Sequence, residues 1–166
     1  MNTRKRKTCA FTLAEVLVVV TIISIAAAVV VPRLLHAGTF SVQAAGRCVI
    51  ADIIFAQNDA VAHQKTRKII FDTANNAYRL TDENDETLAA GWIGGGAYVI
   101  SFANDPRFNG VTLANVDFGG STTIEFDDLG APVIGGVLDV VGTETQYRIT
   151  VAALTGRVTI EPVAGG

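Results

Sequence analysis

Cysteine is scarce. Cys9 and Cys48 are the only two in 166 residues, so no disulfide framework can hold the chain together. Cys9 precedes the long apolar run, whereas a lipid-anchoring cysteine follows one, so it is not read as an anchor. Cys48 reads as a small buried apolar residue on a helix. Histidine is equally scarce. His36 and His63 both fall in predicted helix, and His63, near a helix C-terminus, reads as a surface residue facing the helix dipole rather than a general base. No C-x-x-C, H-E-x-x-H or G-x-S-x-G spacing occurs. Internal repeats and low-complexity tracts are missing too. Catalytic residues, a metal site, a cofactor and a small-molecule substrate are therefore not expected.

Basic charge is also in short supply outside one cluster. Arg4, Lys5, Arg6 and Lys7 are four of the 13 basic side chains; without them 9 remain against 16 acidic ones, a balance of −7. An acidic body argues against a nucleic-acid partner. The basic cluster precedes an apolar run and so reads as a topology signal.

What the chain does have is apolar residues, 49% of the total, concentrated between Phe11 and Leu35. Phe11 to Val31 is interrupted only by Thr12, Glu15, Thr21 and Ser24. At ~1.5 Å per residue it spans ~31 Å as a helix, the thickness of a bilayer core. Pro32 can kink this helix without ending it. From Leu34 to about Gln64 a second helical stretch follows. Ala45, Val49, Ile53, Ala56 and Ala60 recur at spacings of three and four and build one apolar face, with Asp52, Asn58, Asp59 and His63 placed elsewhere. Gly38 and Gly46 weaken it, so a bend is expected near His36–Phe40. If continuous, the two stretches form a helix of ~50 residues, half in lipid and half on a domain.

Past Lys65 the period becomes that of strands. Lys68-Ile69-Ile70-Phe71, a turn at Asn75-Asn76 and a return over Ala77–Thr81 predict a hairpin. Further strands are expected over Ala97–Ala103, Thr122–Phe126, Gln146–Ala152 and Arg157–Glu161, the last two joined through Leu154-Thr155-Gly156 as a terminal hairpin. Gly94-Gly95-Gly96 lacks the following lysine of a phosphate loop and reads as a flexible turn. Asn104–Gly110 is another loop. The acidic run Asp82–Glu86 lacks the pattern of a calcium loop and reads as solvated. Asp127-Asp128 before Leu129-Gly130 reads as a turn, and Trp92 fits either a core anchor or an exposed contact. The expected class is α+β: helix first, then an antiparallel sheet.

Three readings compete for residues 1–35. A cleaved secretory signal peptide fits the basic start and the small residues Ala26-Ala27-Ala28, but the apolar run continues past that site and carries a glutamate near its start. A plain signal anchor fits the length but leaves Glu15 unexplained, because a carboxylate in a membrane helix costs several kcal/mol or must find a partner. The third reading starts from Ala10-Phe11-Thr12-Leu13-Ala14-Glu15-Val16-Leu17-Val18-Val19-Val20. This stretch resembles the type IV pilin and pseudopilin signature. In that family a basic leader is cut before a Phe, whose new amine is methylated. A glutamate stands at the fifth position after the cut and a proline at the twenty-second; these match Glu15 and Pro32. The residue before the cut is usually Gly and is here Ala10, small enough that slower or tolerated processing is expected.

The resemblance implies a pilin-like fold, with residues 1–10 a cleaved leader, 11–33 a transmembrane and filament-core helix, 34–64 its amphipathic continuation and 65–166 a β-rich periplasmic domain. It implies cleavage between Ala10 and Phe11 by a prepilin peptidase, methylation at Phe11, and an inner-membrane location with the N-terminus cytoplasmic. Glu15 would pair with the Phe11 amine of a neighbouring subunit, since residues four apart share a helix face. Lys68-Ile69-Ile70-Phe71, Ile124-Glu125-Phe126 before Gly130, and Gly156-Arg157-Val158-Thr159-Ile160 look like the minor pseudopilin H group of type II secretion, whose partners are other pseudopilins. The alternative is a minor pilin of a type IV pilus, acting in assembly initiation or DNA uptake. DNA-binding relatives carry a second arginine soon after the Gly-Arg pair; here Arg157 is followed by Val158 and Thr159.

Overall fold

A computed structural model of the chain describes residues 12–35, 37–91 and 96–163. The chain divides into two compact units, one ending at Ala37 and the other beginning at Gly38.

The first unit is helix α1, Leu13–Leu35. Its start follows from Thr12, whose Oγ1 accepts from the backbone N–H of Glu15 at 3.2 Å while its carbonyl accepts from Glu15 and Val16. That is a side-chain N-cap, and Thr-x-x-Glu is the spacing of a capping box. The helix runs through Pro32. Leu13, Val16, Leu17, Val18, Val19, Val20, Ile22, Ile23 and Ile25 are all exposed, so the helix is apolar around its whole circumference. Thr21 and Ser24 hide their hydroxyls by donating to the carbonyls of Leu17 and Val20. Among the described residues no helix is long and apolar enough to cross a membrane; the described side chains of α1 end at Ala28, short of the roughly 20 residues a bilayer needs.

The second unit opens with α2, Ala37–His63. The spacing argument holds: Ala45, Val49, Ile53, Ala56 and Ala60, joined by Val42, are buried. One residue departs from it. Asp52 is placed by its sequence off the apolar face, yet it is 8% exposed and points into the core. The bend expected near His36–Phe40 falls partly on His36, which lies outside the described residues.

Two four-stranded antiparallel sheets follow. The strands are β1 Arg67–Asp72, β2 Ala77–Thr81, β3 Ala89–Ala90, β4 Gly96–Ala97, β5 Val99–Ser101, β6 Thr112–Asp117, β7 Thr123–Phe126, β8 Gly136–Val141, β9 Gln146–Val151 and β10 Val158–Val163. The first sheet has the order β5-β2-β1-β7 and the second β10-β9-β8-β6, while β3 and β4 pair with each other. The β1–β2 hairpin is where the sequence places it, with Ile69 opposite Leu80 and Phe71 opposite Tyr78, all four buried. The terminal β9–β10 hairpin is likewise present. Ile149 and Val151 of β9, Leu138 and Val140 of β8 and Leu113 of β6 face inward and join α2 and the first sheet in one core.

Three strand expectations change. The strand over Ala97–Ala103 is two strands, because β4 pairs with β3 and β5 with β2, with the buried Tyr98 between them. Gly96, read as part of a flexible turn, belongs to β4, while Trp92, Gly94 and Gly95 lie outside the described residues. β6 and β8, half of the second sheet, have no counterpart in the sequence reading. β6 is interrupted by a register shift between Ala114 and Asp117, where Asn115 adopts a φ of 48°. β8 carries a charged residue, Asp139, in its middle.

Asp127-Asp128 form the expected turn: Asp127 Oδ1 accepts from the N–H groups of Leu129 and Ala131. Gly130 of that turn lies on α2, its carbonyl accepting from Gln57 Nε2 at 2.8 Å. Asp82 orders the acidic loop in the same way, accepting from Asn84 and Glu86 N–H.

Candidate functional site

Two places gather the chemistry of this chain: the start of α1 and a pair of buried carboxylates in the second unit.

At the start of α1, Glu15 stands in the first helical turn. A negative side chain there is favoured by the helix dipole, and the Thr12 cap gives it a local role that the sequence reading missed. The helix begins at Leu13, so placing residues 11 and 15 on one helical face takes the helix beyond its described start. Ala10 and Phe11 lie outside the described residues. Pro32 lies within α1, and its side chain is outside them as well. Exposed apolar side chains surround Glu15, including Val16 and Val19. Among the described side chains of α1 no cation accompanies it, and its carboxylate is available to an external partner.

Asp139 is fully buried on the outer side of the second sheet. Arg148 roofs it, donating from Nε to Oδ1 at 2.8 Å and from Nη2 to Oδ2 at 2.9 Å. Asn115 and Gln146 amides donate to Oδ2 at 2.7 and 2.9 Å. The Arg148 bonds, helped by the two amides, hold the carboxyl below the usual range despite burial. Both oxygens are engaged, Oδ1 by one donor and Oδ2 by three, as in a structural ion pair. The kinked Asn115 is what brings one of those amides within reach.

Asp52 is the contrasting case. It sits on α2 and accepts from Tyr78 Oη of β2 at 2.5 Å and from Tyr98 Oη, between β4 and β5, at 2.6 Å. Cys48 lies one helical turn earlier, its sulfur 3.9 Å from Asp52 Oδ2 and 3.5 Å from Tyr78 Oη. Cys48 thus packs half-buried against the core from α2, where a small buried residue is expected, and it has polar neighbours as well. Burial pushes the Asp52 carboxyl up, and the tyrosine bonds pull it part of the way back. Burial likewise raises Cys48, Tyr78 and Tyr98.

An open cavity of about 470 Å³ lies between Asn76 and Thr112. Its polar groups satisfy one another: Asn76 bridges the Val111 carbonyl and the Leu113 N–H, and Asp105 holds Arg107. His63 is at the surface, on Asp59. Among the described residues no group of His, Cys, Asp and Glu is arranged to hold a metal ion.

Comparison with known proteins bears on both ends of the chain. Residues 5–31 match the prokaryotic N-terminal methylation motif. No curated protein matches in sequence. Two solved structures share the fold. The minor pseudopilin EpsH from the type 2 secretion system of Vibrio cholerae aligns at a TM-score of 0.51 and 9% identity, over 75% of this chain and 96% of that one. The type IV minor pilin FimU of Pseudomonas aeruginosa aligns at 0.52 and 17%, over 73% and 88%. The chain thus carries the methylation motif at its N-terminus and, behind it, the α+β fold of these two structures.

Proposed function

We propose that this protein is a minor pseudopilin, a structural subunit of the type II secretion pseudopilus that takes part in protein export across the outer membrane. The observation that carries this reading is Glu15, an acid in the first turn of a helix that is otherwise apolar on every side, inside the methylation motif. Such a helix needs an apolar surround, and its carboxylate needs a partner there. A prepilin peptidase cuts between Ala10 and Phe11, Phe11 is methylated, and α1 with its flanking residues anchors the chain in the bacterial inner membrane. The basic leader stays cytoplasmic and the β-rich domain stands in the periplasm. In the filament the Glu15 carboxylate meets the Phe11 amine of a neighbouring pseudopilin, where a low dielectric makes either charge costly to leave alone. Pro32 bends the helix between its two halves. The role is structural and not catalytic.

The second reading, a minor pilin of a type IV pilus, is favoured by the likeness to FimU, which is slightly greater than that to EpsH in TM-score and in identity. The C-terminal hairpin weighs against a DNA-uptake version of it. Arg157 is exposed just ahead of β10, and no other basic residue lies beyond Arg148. Neutralising phosphates takes several.

Three experiments test the proposal. Deletion of the gene should abolish exoprotein secretion and leave pili intact; loss of twitching or transformation with normal secretion would assign the subunit to a pilus. Mass spectrometry of the mature N-terminus should find methylated Phe11, and a chain starting at Val29 would restore an ordinary signal peptide. For Glu15, Gln and Ala variants separate its two roles. Glutamine keeps the capping capacity without the charge. If assembly depends on charge, both variants insert in the membrane and neither enters the filament. A filament-competent Glu15→Gln would reduce the residue to a helix cap.

A further inference from the structure

The Asp52 cluster is not used by the assembly role of α1. It joins three parts of the second unit: α2 through Asp52 and Cys48, β2 through Tyr78, and the β4–β5 junction through Tyr98. Neutral groups enclose it. Phe55 of α2 stacks on Tyr98, and Phe71 and Phe102 pack on Tyr78. One charged pair, Asp105 with Arg107 in the turn after β5, is closed on itself and is felt at Cys48. Among the described residues no cation bonds to the Asp52 carboxyl, in contrast to Asp139 with its arginine. A buried carboxylate held only by hydroxyls and a thiol is poorly compensated.

We propose that Cys48, Asp52, Tyr78 and Tyr98 form a proton-operated latch between α2 and the first sheet, tightened when the Asp52 carboxyl takes up one proton and loosened when it gives that proton up. The hydrogen bonds allow both states. In the ionised state Tyr78 donates to Oδ2 and Tyr98 to Oδ1. When a solvent proton joins Oδ2, that oxygen becomes a donor to Tyr78 Oη. The Tyr78 hydroxyl then turns to the Cys48 sulfur, 3.5 Å away and able to act as either donor or acceptor. Tyr98 keeps its bond to Oδ1. One proton enters, one negative charge leaves the core, and Asp52 and both tyrosine hydroxyls remain bonded.

The sign follows from burial. The carboxyl binds its proton more tightly folded than unfolded, because burial raises it above its ordinary value of 3.8. The stabilisation is therefore complete below that value and is lost as pH rises through the folded-state pKa. The test is thermal unfolding of the full chain in detergent micelles between pH 4 and pH 8. Wild type, Asp52→Asn, Tyr78→Phe and Cys48→Ser are compared. The midpoint of wild type should fall relative to Asp52→Asn as pH rises, since every other titrating group is common to both. Tyr78→Phe removes a donor to the ionised form and should move that fall to higher pH. Cys48→Ser keeps a donor–acceptor beside Tyr78 and should preserve the wild-type shape. Parallel profiles for wild type and Asp52→Asn would overturn the latch. If Asp52→Asn does not fold, a Tyr78→Phe profile coincident in pH with wild type would overturn it equally.

Discussion

Gly130 offers the sharpest test of how the β-domain is held to α2. Its φ is +78°, a conformation that costs an L-residue about 1–2 kcal/mol. A Cβ placed there would meet Val61 Cγ2 at 2.6 Å and the backbone oxygen of Gln57 at 3.2 Å. Val61 is half-exposed and can turn away; the helical carbonyl of Gln57 cannot. The bond from Gln57 Nε2 to the Gly130 carbonyl would stretch as the turn lifts, at a loss of about 0.5–1.5 kcal/mol. Gly130→Ala should therefore destabilise the domain by roughly 2–4 kcal/mol, with overcrowding and strain the main terms. That corresponds to a fall of roughly 10 °C in the unfolding midpoint. The assay is denaturant unfolding of the full chain in detergent micelles, read by near-ultraviolet circular dichroism of the buried tyrosines. Val61→Ala in the same background should recover part of the loss, because it removes the closest contact and leaves the backbone strain. A Gly130→Ala variant within about 0.5 kcal/mol of wild type would refute the reasoning, since that is the range of an inconsequential surface change. Simple additivity of the two substitutions would show that Val61 is not what the new methyl meets.

Three further outcomes can be checked. Ile53→Ala, at a fully buried position on the α2 face, should cost about 2–5 kcal/mol in the same unfolding assay. Asp139 has a pKa lowered by Arg148, so its stabilisation is present above the unfolded value and is lost as pH falls through the folded one; wild type should lose stability below about pH 4, and Asp139→Asn should lack that acid step. The Cys48 thiol is half-buried and raised by burial, so its alkylation in the native chain at neutral pH should be slower than in denaturant, and equal rates would place it at the surface.

Much of this fold is readable locally. The face of α2 follows from five apolar residues at spacings of three and four. The β1–β2 hairpin follows from Lys68–Phe71 and an Asn-Asn turn. What is not readable depends on residues far away in sequence. Val137-Leu138-Asp139-Val140 is unconvincing as a strand until Arg148 and Gln146 from the next strand and Asn115 from the other neighbour satisfy the aspartate. Asp52 is misplaced for the same reason: helical spacing assigns a carboxylate to solvent, and only Tyr78 and Tyr98 make the inward position tolerable. Tyr98 stands where the chain passes from pairing with β3 to pairing with β2, a change of partner that no local pattern announces.

The N-terminal segment shows the opposite balance. What is proposed for it rests almost wholly on sequence: a basic cluster, an apolar run, and the spacing of Glu15 from Phe11 and Pro32. Coordinates add one local fact, the Thr12 cap, and it changes how Glu15 is weighed. An acid at the third helical position is favoured wherever a helix starts, so its presence alone does not demand a partner in lipid. The demand comes from the surroundings. In water a capping glutamate stays solvated. On a helix otherwise surfaced by valine, leucine, isoleucine and alanine, with Thr21 and Ser24 bonded back to its own backbone, the proposed assembly would remove the solvent and leave the charge. Under the proposed role, the residue whose backbone N–H meets the Thr12 cap is also the one whose carboxylate a filament must neutralise. That is why the Gln and Ala variants at position 15, and not the presence of the glutamate, decide its role.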